Sequence, residues 1–454
     1  MFILILLLLL VLSPFTNILS KCKKKKMPPG PWRLPILRNL HLLNPNKPQQ
    51  SPLNLSKKLL QLGSIPTLIV SSRDVAKEVF TNHDLTFSGR PLLTASKKLF
   101  KNNPSITFSP HGGRWRQGDK IFMLQLLGPH RVRAFKAVRG EEIEELVANI
   151  KDVFVVANLN FFPRMEWVDG LRGFHGRLEK KFEEMDAFFD RVIQEYLKNG
   201  EEGEESDNVI NDSGGDEEKD LVCILLRLHK IAVLHGGFLS SIDQVKSILW
   251  EALIAGTDTS LATIIWTMTE LIRNLRVLYK LQEELKQATN EEICKLIQES
   301  DLEELPYLKQ VIKESMRLKP PVPLLVPRET IQACRVQGYK IPAKTRVIIN
   351  AMAISTDPNV WEKPLEFWPE RFEGNNIAFM GQDYEFLPFG SGRRKCPGIS
   401  FAMVIVELAL ANLLHCFDWS LPDGMKAEDI SLEETIGITV HKKVALCLVA
   451  KPKW

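Results

Sequence analysis

The stretch Phe389-Gly-Ser-Gly-Arg-Arg-Lys-Cys396-Pro-Gly398 sets one cysteine in a glycine-rich turn, with basic residues before it and a long apolar helical pattern after it. Glycines at 390, 392 and 398 let the backbone turn tightly and lie close to a flat ligand. Arg393, Arg394 and Lys395, with the N-terminus of a helix opening near Pro397, are expected to lower the Cys396 pKa and favour thiolate. A thiolate held against a planar cofactor is haem-thiolate ligation, in which sulfur pushes electron density onto iron and favours O–O cleavage. A structural cysteine buried in a loop is the competing reading. The ten-residue pattern F-x-x-G-x-R-x-C-x-G is far more specific than a lone cysteine.

Two further stretches precede it in a fixed order. Glu314-Ser-Met-Arg317 puts a carboxylate and a guanidinium three residues apart on one helical face, and Phe367-Trp-Pro-Glu-Arg-Phe372 supplies a second arginine, Arg371. Arginine suits a buried carboxylate triad because its planar fork pairs bidentately. In these motifs the chain resembles the cytochrome P450 family, and more narrowly its plant microsomal branch. The resemblance implies a mainly α fold with small β sheets. It implies haem b with Cys396 as axial ligand, and Phe389, Gly392, Arg394 and Gly398 shaping the cofactor turn. Glu314, Arg317 and Arg371 would form the structural triad behind it.

A long helix opening near Ser241 carries Ala255-Gly-Thr-Asp-Thr-Ser260, similar to the family's oxygen-binding turn. Gly256 weakens the helix locally and makes room for a diatomic ligand. By resemblance Thr259 bonds oxygen and Asp258 links it to water for proton delivery, although mid-helix hydroxyls also bond back to the preceding turn. Trp115-Arg-Gln-Gly-Asp119 resembles the helix whose tryptophan and arginine contact a haem propionate. Here Asp119 stands where the family has arginine, and a carboxylate there repels the propionate by about 1 kcal/mol or more at partial burial. Arg116 or Lys120 could rotate in, and Arg328 and Arg394 resemble other propionate partners; plain surface charges are the alternative. Substrate-pocket walls are implied at Ile106, Phe108, Ala252, Leu253, Val322 to Val326 and Gly437-Ile438, all apolar apart from the glycine and equally suited to ordinary core.

Whole-chain properties agree. The 454 residues, 44% of them hydrophobic, can bury a sizeable core. Net charge is +4, but Lys21 and Lys23 to Lys26 account for the excess, so the body is near neutral and nucleic-acid binding is not suggested. Seven scattered cysteines lack disulfide or metal spacing and favour a reducing compartment. Met1 to Leu12 is almost wholly apolar, followed by the lysine block and Pro28-Pro-Gly-Pro31. That reads as a marginal transmembrane anchor over 1–20, a basic and proline-rich hinge over 21–50, and a haem domain over 51–454. The lysines after the apolar run place the body in the cytosol, on the endoplasmic reticulum membrane. A cleaved signal peptide is the rival, without a basic start or a small-x-small cleavage site.

The clearest helical patterns are Phe182–Leu197, Gln244–Arg273, Leu302–Arg317 and Ser400–Leu414, with β-like runs at Thr67–Ser71, Thr345–Ala351 and Val444–Val449. Residues 201–220 are acidic and read as a solvated loop. The first strand between Leu59 and Pro66 looks missing, and the chain passes almost directly from Val153 to Asn158, where the family carries two further helices. Helices that pack on the oxygen-binding helix cannot vanish without exposing apolar surface, at roughly 25 cal/mol per Å². The leading expectation is a monooxygenase hydroxylating a small apolar metabolite, terpenoid or phenylpropanoid, with O₂ and electrons from NADPH–cytochrome P450 reductase. One rival is a non-catalytic, decayed remnant with weak or no haem binding, supported by Asp119 and the gaps. Another is an oxygen-independent haem-thiolate rearranging enzyme, which the acid–alcohol pair 258–259 disfavours.

Overall fold

The computed structural model describes residues 28, 59–62, 65–93, 96, 100, 105–152, 157–158, 174–201, 220–235, 237–289, 295–435 and 437–453. The expected anchor, the hinge apart from Pro28, and most of the acidic stretch lie outside them.

The centre of the molecule is a 32-residue helix, Ile242–Arg273, about 48 Å long at 1.5 Å per residue. It begins where an extended Ser241 is followed by Gln244, whose side chain accepts the Ser241 N–H at 3.3 Å in capping-box fashion. In chain order the described helices are α1 (Arg73–Asn82), α2 (Gly113–Ile121), α3 (Pro129–Ala134), α4 (Lys136–Asp152), α5 (Phe174–Glu201), α6 (Leu221–His235) and α7, the long one. They continue with α8 (Leu275–Ala288), α9 (Pro306–Leu318), α10 (Ala351–Ser355) and α11 (Ile399–Cys416).

The main core lies where α7, α8, α9 and α11 meet. Met268 and Leu271 of α7, Leu281 and Leu285 of α8, Val311 and Ile312 of α9, and Leu410 and Ala411 of α11 are all essentially inaccessible. Helices α7 and α11 are long and apolar enough to cross a membrane, but two thirds of the apolar window of α11 is buried inside the protein. Apolarity on every side marks that helix as core.

The strands are few. β1 (Leu59–Leu62), β2 (Ile65–Val70), β7 (Arg346–Ile349) and β4 (Arg328–Glu329) form one sheet in that order, with β2 and β7 parallel and the other pairs antiparallel. β5 (Cys334–Val336) pairs with β6 (Tyr339–Ile341), and β9 (Cys447–Pro452) lies between β3 (Ala157–Asn158) and β8 (Phe417–Ser420). The expectation of a missing first strand is therefore corrected. Leu59-Leu-Gln-Leu62 occupies that place, with Leu60 opposite Thr67, because three leucines in four residues suffice to pair an edge. The helix expected from Leu302 starts instead at Pro306. Residues Asp301–Glu304 form a 3₁₀ turn, since proline disfavours α conformation just before it and fits the first helical position.

Candidate active site

The cysteine turn is closed by its own backbone. Cys396 N–H donates to Phe389 O at 3.0 Å and Lys395 N–H to Gly392 O at 3.0 Å, so the thiol is carried on a fixed loop that enters α11 through Gly398. Gly392 has φ +67°, and a Cβ there would collide with the Asp84 carboxylate, which accepts the next N–H, of Arg393, at 3.2 Å. Glycine is required at 392 on both counts. The Phe389 ring packs edge-on against Phe379 at 5.6 Å.

The electrostatics of the turn differ from expectation. Burial pushes the Cys396 thiol up, and the Gly398 N–H and Lys395 only partly counter it. Arg394 does not act on the sulfur. Its guanidinium donates to Ser88 O (2.9 Å), Ile106 O (3.1 Å) and Ser109 O (2.7 Å) and lies 4.0 Å over the Trp115 ring. Arg393 turns outward to Asp84 at 3.1 Å. Desolvation thus outweighs nearby charge, and thiolate would be secured by a bound metal, which deprotonates a coordinating thiol outright.

Beside the turn lies a cluster of buried cations. Arg328 is 2% exposed, and its Nη2 donates to Ser391 O at 2.8 Å. Among the described residues its Nη1 has no hydrogen-bond partner, and a carboxylate oxygen of Asp84 stands 4.0 Å off. Burial holds Arg328 down to about 10, and burial with Arg328 as neighbour holds Arg394 down to about 9. Arg90 is buried too, donating to Thr107 O, Val326 O and Pro327 O, and desolvation with its two arginine neighbours holds it well below its usual value. Three desolvated guanidiniums, one with an unsatisfied donor, need further anions. The reading of Arg328 and Arg394 as surface charges is excluded.

On α2, Trp115 is buried and its Nε1 donates to Ile106 O at 3.1 Å. Arg116 and Lys120 are both exposed, so neither rotates into the cluster as suggested. Asp119 does reach it. It is half-buried, burial raises its pKa, and Arg394 pulls it back down.

Along α7 burial is interrupted between Ala252 and Thr259, where no residue is fully buried and Leu253, Ala255 and Thr257 are exposed. Among the described residues, nothing outside the helix's own backbone lies within 4 Å of where a Gly256 Cβ would stand. One turn on, Leu261 packs against the same core as Cys396. The Thr259 hydroxyl donates back to Ala255 O at 2.7 Å and keeps its lone pairs free. Asp258 bonds His441 Nε2 at 2.9 Å rather than Thr259.

Glu314, Arg317 and Arg371 are brought together. Arg317 donates Nε and Nη2 to the two Glu314 oxygens at 2.7 and 2.8 Å, and Arg371 Nε adds a bond of 3.1 Å. Both members of the first pair are wholly inaccessible. Arg317 also donates to Ser355 O and Pro364 O, each at 2.8 Å, so the triad fastens the segment before the cysteine turn to α9. Of the implied pocket walls, Ile106, Phe108, Ala252, Val322 and Leu324 to Val326 are half-buried, and Leu253 and Ile438 exposed.

Sequence reasoning missed Arg90, Glu251 and His441. Glu251, buried on α7, accepts Ser105 Oγ and the N–H groups of Ile106 and Thr107 at 2.6 to 2.7 Å, tying that wall to the helix. Its position one turn before Gly256 was the available signal; Arg90 and His441 carry none.

The residues present fit haem: a cluster of buried guanidiniums with one unpartnered donor, on Arg328, for its carboxylates, an open flank on α7, and a thiol on a rigid turn. The comparisons agree. The Cytochrome P450 family model matches residues 28–162 and 152–448, in two pieces that meet where the two helices are expected to be missing. Cytochrome P450 71A9 of Glycine max is 44% identical over 489 aligned positions, covering 95% of this chain and 94% of the relative. That alignment is longer than this 454-residue chain, so the relative has residues without counterpart here. Strychnine-11-hydroxylase of Strychnos nux-vomica is 42% identical over 99% of this chain and 97% of its own length. A zebrafish cytochrome P450 solved with progesterone superposes with a TM-score of 0.70 at 23% identity, over 90% of this chain and all of the other. The chain is therefore a plant-type member of the cytochrome P450 family, the haem-thiolate monooxygenases.

Proposed function

We propose that this protein is a membrane-anchored monooxygenase that hydroxylates a small apolar metabolite, of terpenoid or phenylpropanoid size, with electrons from NADPH–cytochrome P450 reductase. The buried arginine cluster beside a cysteine turn carries the reading. Cys396 would ligate the iron, with Phe389, Gly392 and Gly398 shaping the turn. Arg328 and Arg394 would hold the haem carboxylates against Trp115, and the Arg328 Nη1 donor would gain its acceptor there. When bound, haem supplies the iron at which O₂ is reduced and cleaved.

The chain's own residues do the rest. Thr259 spends its proton on Ala255 O and so presents lone pairs to the opening at Gly256, where it accepts hydrogen bonds. Asp258, on the partly exposed side of the same turn, is the group that passes protons inward from solvent. Ile106, Phe108, Val322 and Val326 are each apolar and half-buried, and would line the substrate side and exclude water from the reacting carbon. The named action of one relative on strychnine supports a compact organic substrate. An anchor at 1–20 and a hinge at 21–50 would hold the body on the cytosolic face of the endoplasmic reticulum. The acid–alcohol pair disfavours an oxygen-independent rearrangement.

A second reading, a remnant that holds haem weakly, is favoured by Asp119 and by the break at 152–162. Expression of the full chain with haem precursor, reduction and exposure to carbon monoxide separates the two. A thiolate-type Soret shift at near one haem per chain supports the enzyme; absence of haem supports the remnant. Consumption of NADPH and O₂ with hydroxylated product then excludes rearrangement.

A further inference from the structure

Asp258 is held from outside its own helix. His441 Nε2 lies 2.9 Å from its Oδ1, and the Thr439 hydroxyl bonds the same carboxylate. A carboxylate only accepts, so the imidazole carries its proton on Nε2 and donates. Together these bonds hold Asp258 below the usual carboxylate range against the opposing effect of burial. Among the described residues this is the only ion pair Asp258 makes.

The segment that presents the two groups is fixed from three sides. Val440 sits between them, buried, with its N–H on Pro321 O at 2.9 Å and its C=O taking the Trp266 Nε1 proton at 3.0 Å. Trp266 is itself 1% exposed on α7, two turns beyond Asp258. Alternation along an extended segment puts Thr439 and His441 on one side and Val440 on the other. Thr435 closes the hairpin: its N–H donates to His441 O at 2.8 Å, and its hydroxyl accepts the His441 N–H at 3.1 Å. At Gly437 a Cβ would stand 2.7 Å from Thr439 O, so only glycine lets the hairpin fold back to this position.

We propose that His441, aimed by the Val440–Trp266 clamp, is a positioning residue for the Asp258 carboxylate in proton delivery to the O₂ site. The proposal rests on the monooxygenase reading above. Asp258 has 32% side-chain exposure, and the imidazole, with the Thr439 hydroxyl, keeps its carboxylate from turning into solvent. Protons are relayed through the carboxylate without net change at His441.

The test uses the full-length, haem-loaded chain with its reductase and any substrate that gives a spectral binding response. His441→Phe is expected to lower product formed per NADPH about tenfold, less than the ~10² of a lost general acid, because Asp258 remains and only its aim is lost. Electrons are expected to appear as hydrogen peroxide instead, while substrate KM, the carbon-monoxide spectrum and product formation driven by added peroxide stay unchanged. His441→Gln keeps an N–H donor and is expected to restore most of the coupling. Parallel loss of the thiolate spectrum, or of peroxide-driven turnover, in His441→Phe would reduce the residue to a hairpin anchor and overturn the proposal. Asp258→Asn separates the two levels. If it uncouples and His441→Phe does not, the positioning role falls; if neither uncouples, the proton-relay reading falls with it. A readout independent of turnover is acylation by diethyl pyrocarbonate, followed peptide by peptide. Acylation of His441 is expected to be several-fold faster in Asp258→Ala than in the wild type, and equal rates overturn the pairing.

Discussion

Replacing Arg328 by methionine should split two properties that usually move together. In the metal-free protein the guanidinium is a liability: burial holds it down to about 10 from 12.5, equivalent to about 3 kcal/mol against the charged form. Methionine removes that cost and fills similar space. It also loses the bond to Ser391 O, worth about 1–3 kcal/mol to a charged donor, and the stacking over Phe80 at 4.8 Å, about 1–2 kcal/mol when desolvated. These nearly cancel, so apoprotein stability should change by no more than about 2 kcal/mol. Haem retention should behave otherwise. Removing one partner of a buried ion pair costs roughly 3–5 kcal/mol, a fall of about 10²- to 10⁴-fold in haem affinity. Apoprotein stability is read from urea unfolding in detergent, and haem affinity from the rate of transfer to a haem-scavenging protein. Unchanged haem transfer, or an apoprotein destabilised as much as the holoprotein, would refute the assignment of the buried cluster to the haem carboxylates.

Arg317→Ala should cost about 3 kcal/mol, a large part of a typical 5–15 kcal/mol, since it leaves the inaccessible Glu314 carboxylate with Arg371 as its one remaining cation; expression level and unfolding midpoint report it. Arg317→Lys should lose less but still measurably, because one ammonium cannot serve both oxygens. Glu407 on α11 is pushed up to about 7 by burial, against the pull of Lys309 and Lys313. A raised carboxyl binds more protons folded than unfolded, so its contribution is intact below about 4.5 and lost as pH rises to about 7. Glu407→Gln should therefore stabilise at and above pH 7 by up to about 3 kcal/mol and change little at pH 4, which pH-resolved unfolding measures. Asp119→Asn and Asp119→Arg should both slow haem loss, arginine more, by about fivefold or greater. An unchanged rate would show that Asp119 does not face the propionate.

What was legible in the sequence followed from short-range pattern. Ser241, Gln244 and the apolar run beyond them locate α7 to within two residues, and the E-x-x-R spacing locates both ends of the Glu314–Arg317 pair. The cysteine turn was legible as a turn but not as an electrostatic environment. Counting Arg393, Arg394 and Lys395 suggested a lowered pKa, whereas Arg394 points to three carbonyls and desolvation dominates. Directions of side chains and burial are tertiary properties, and adjacency in sequence does not carry them. The same reason hid Arg90 and His441, whose partners lie 17 to 237 and 183 residues away. β1 was missed because an expected entry motif was sought where a leucine run does the pairing.

The central claim is that this shortened chain still holds haem through Cys396. The most direct measurement is the carbon-monoxide difference spectrum of the reduced full-length protein beside that of Cys396→Ser. A thiolate-type Soret band in the wild type, lost in the serine variant at comparable protein level, is the predicted result. A neutral-ligand spectrum in the wild type, or the same spectrum in both proteins, would contradict it.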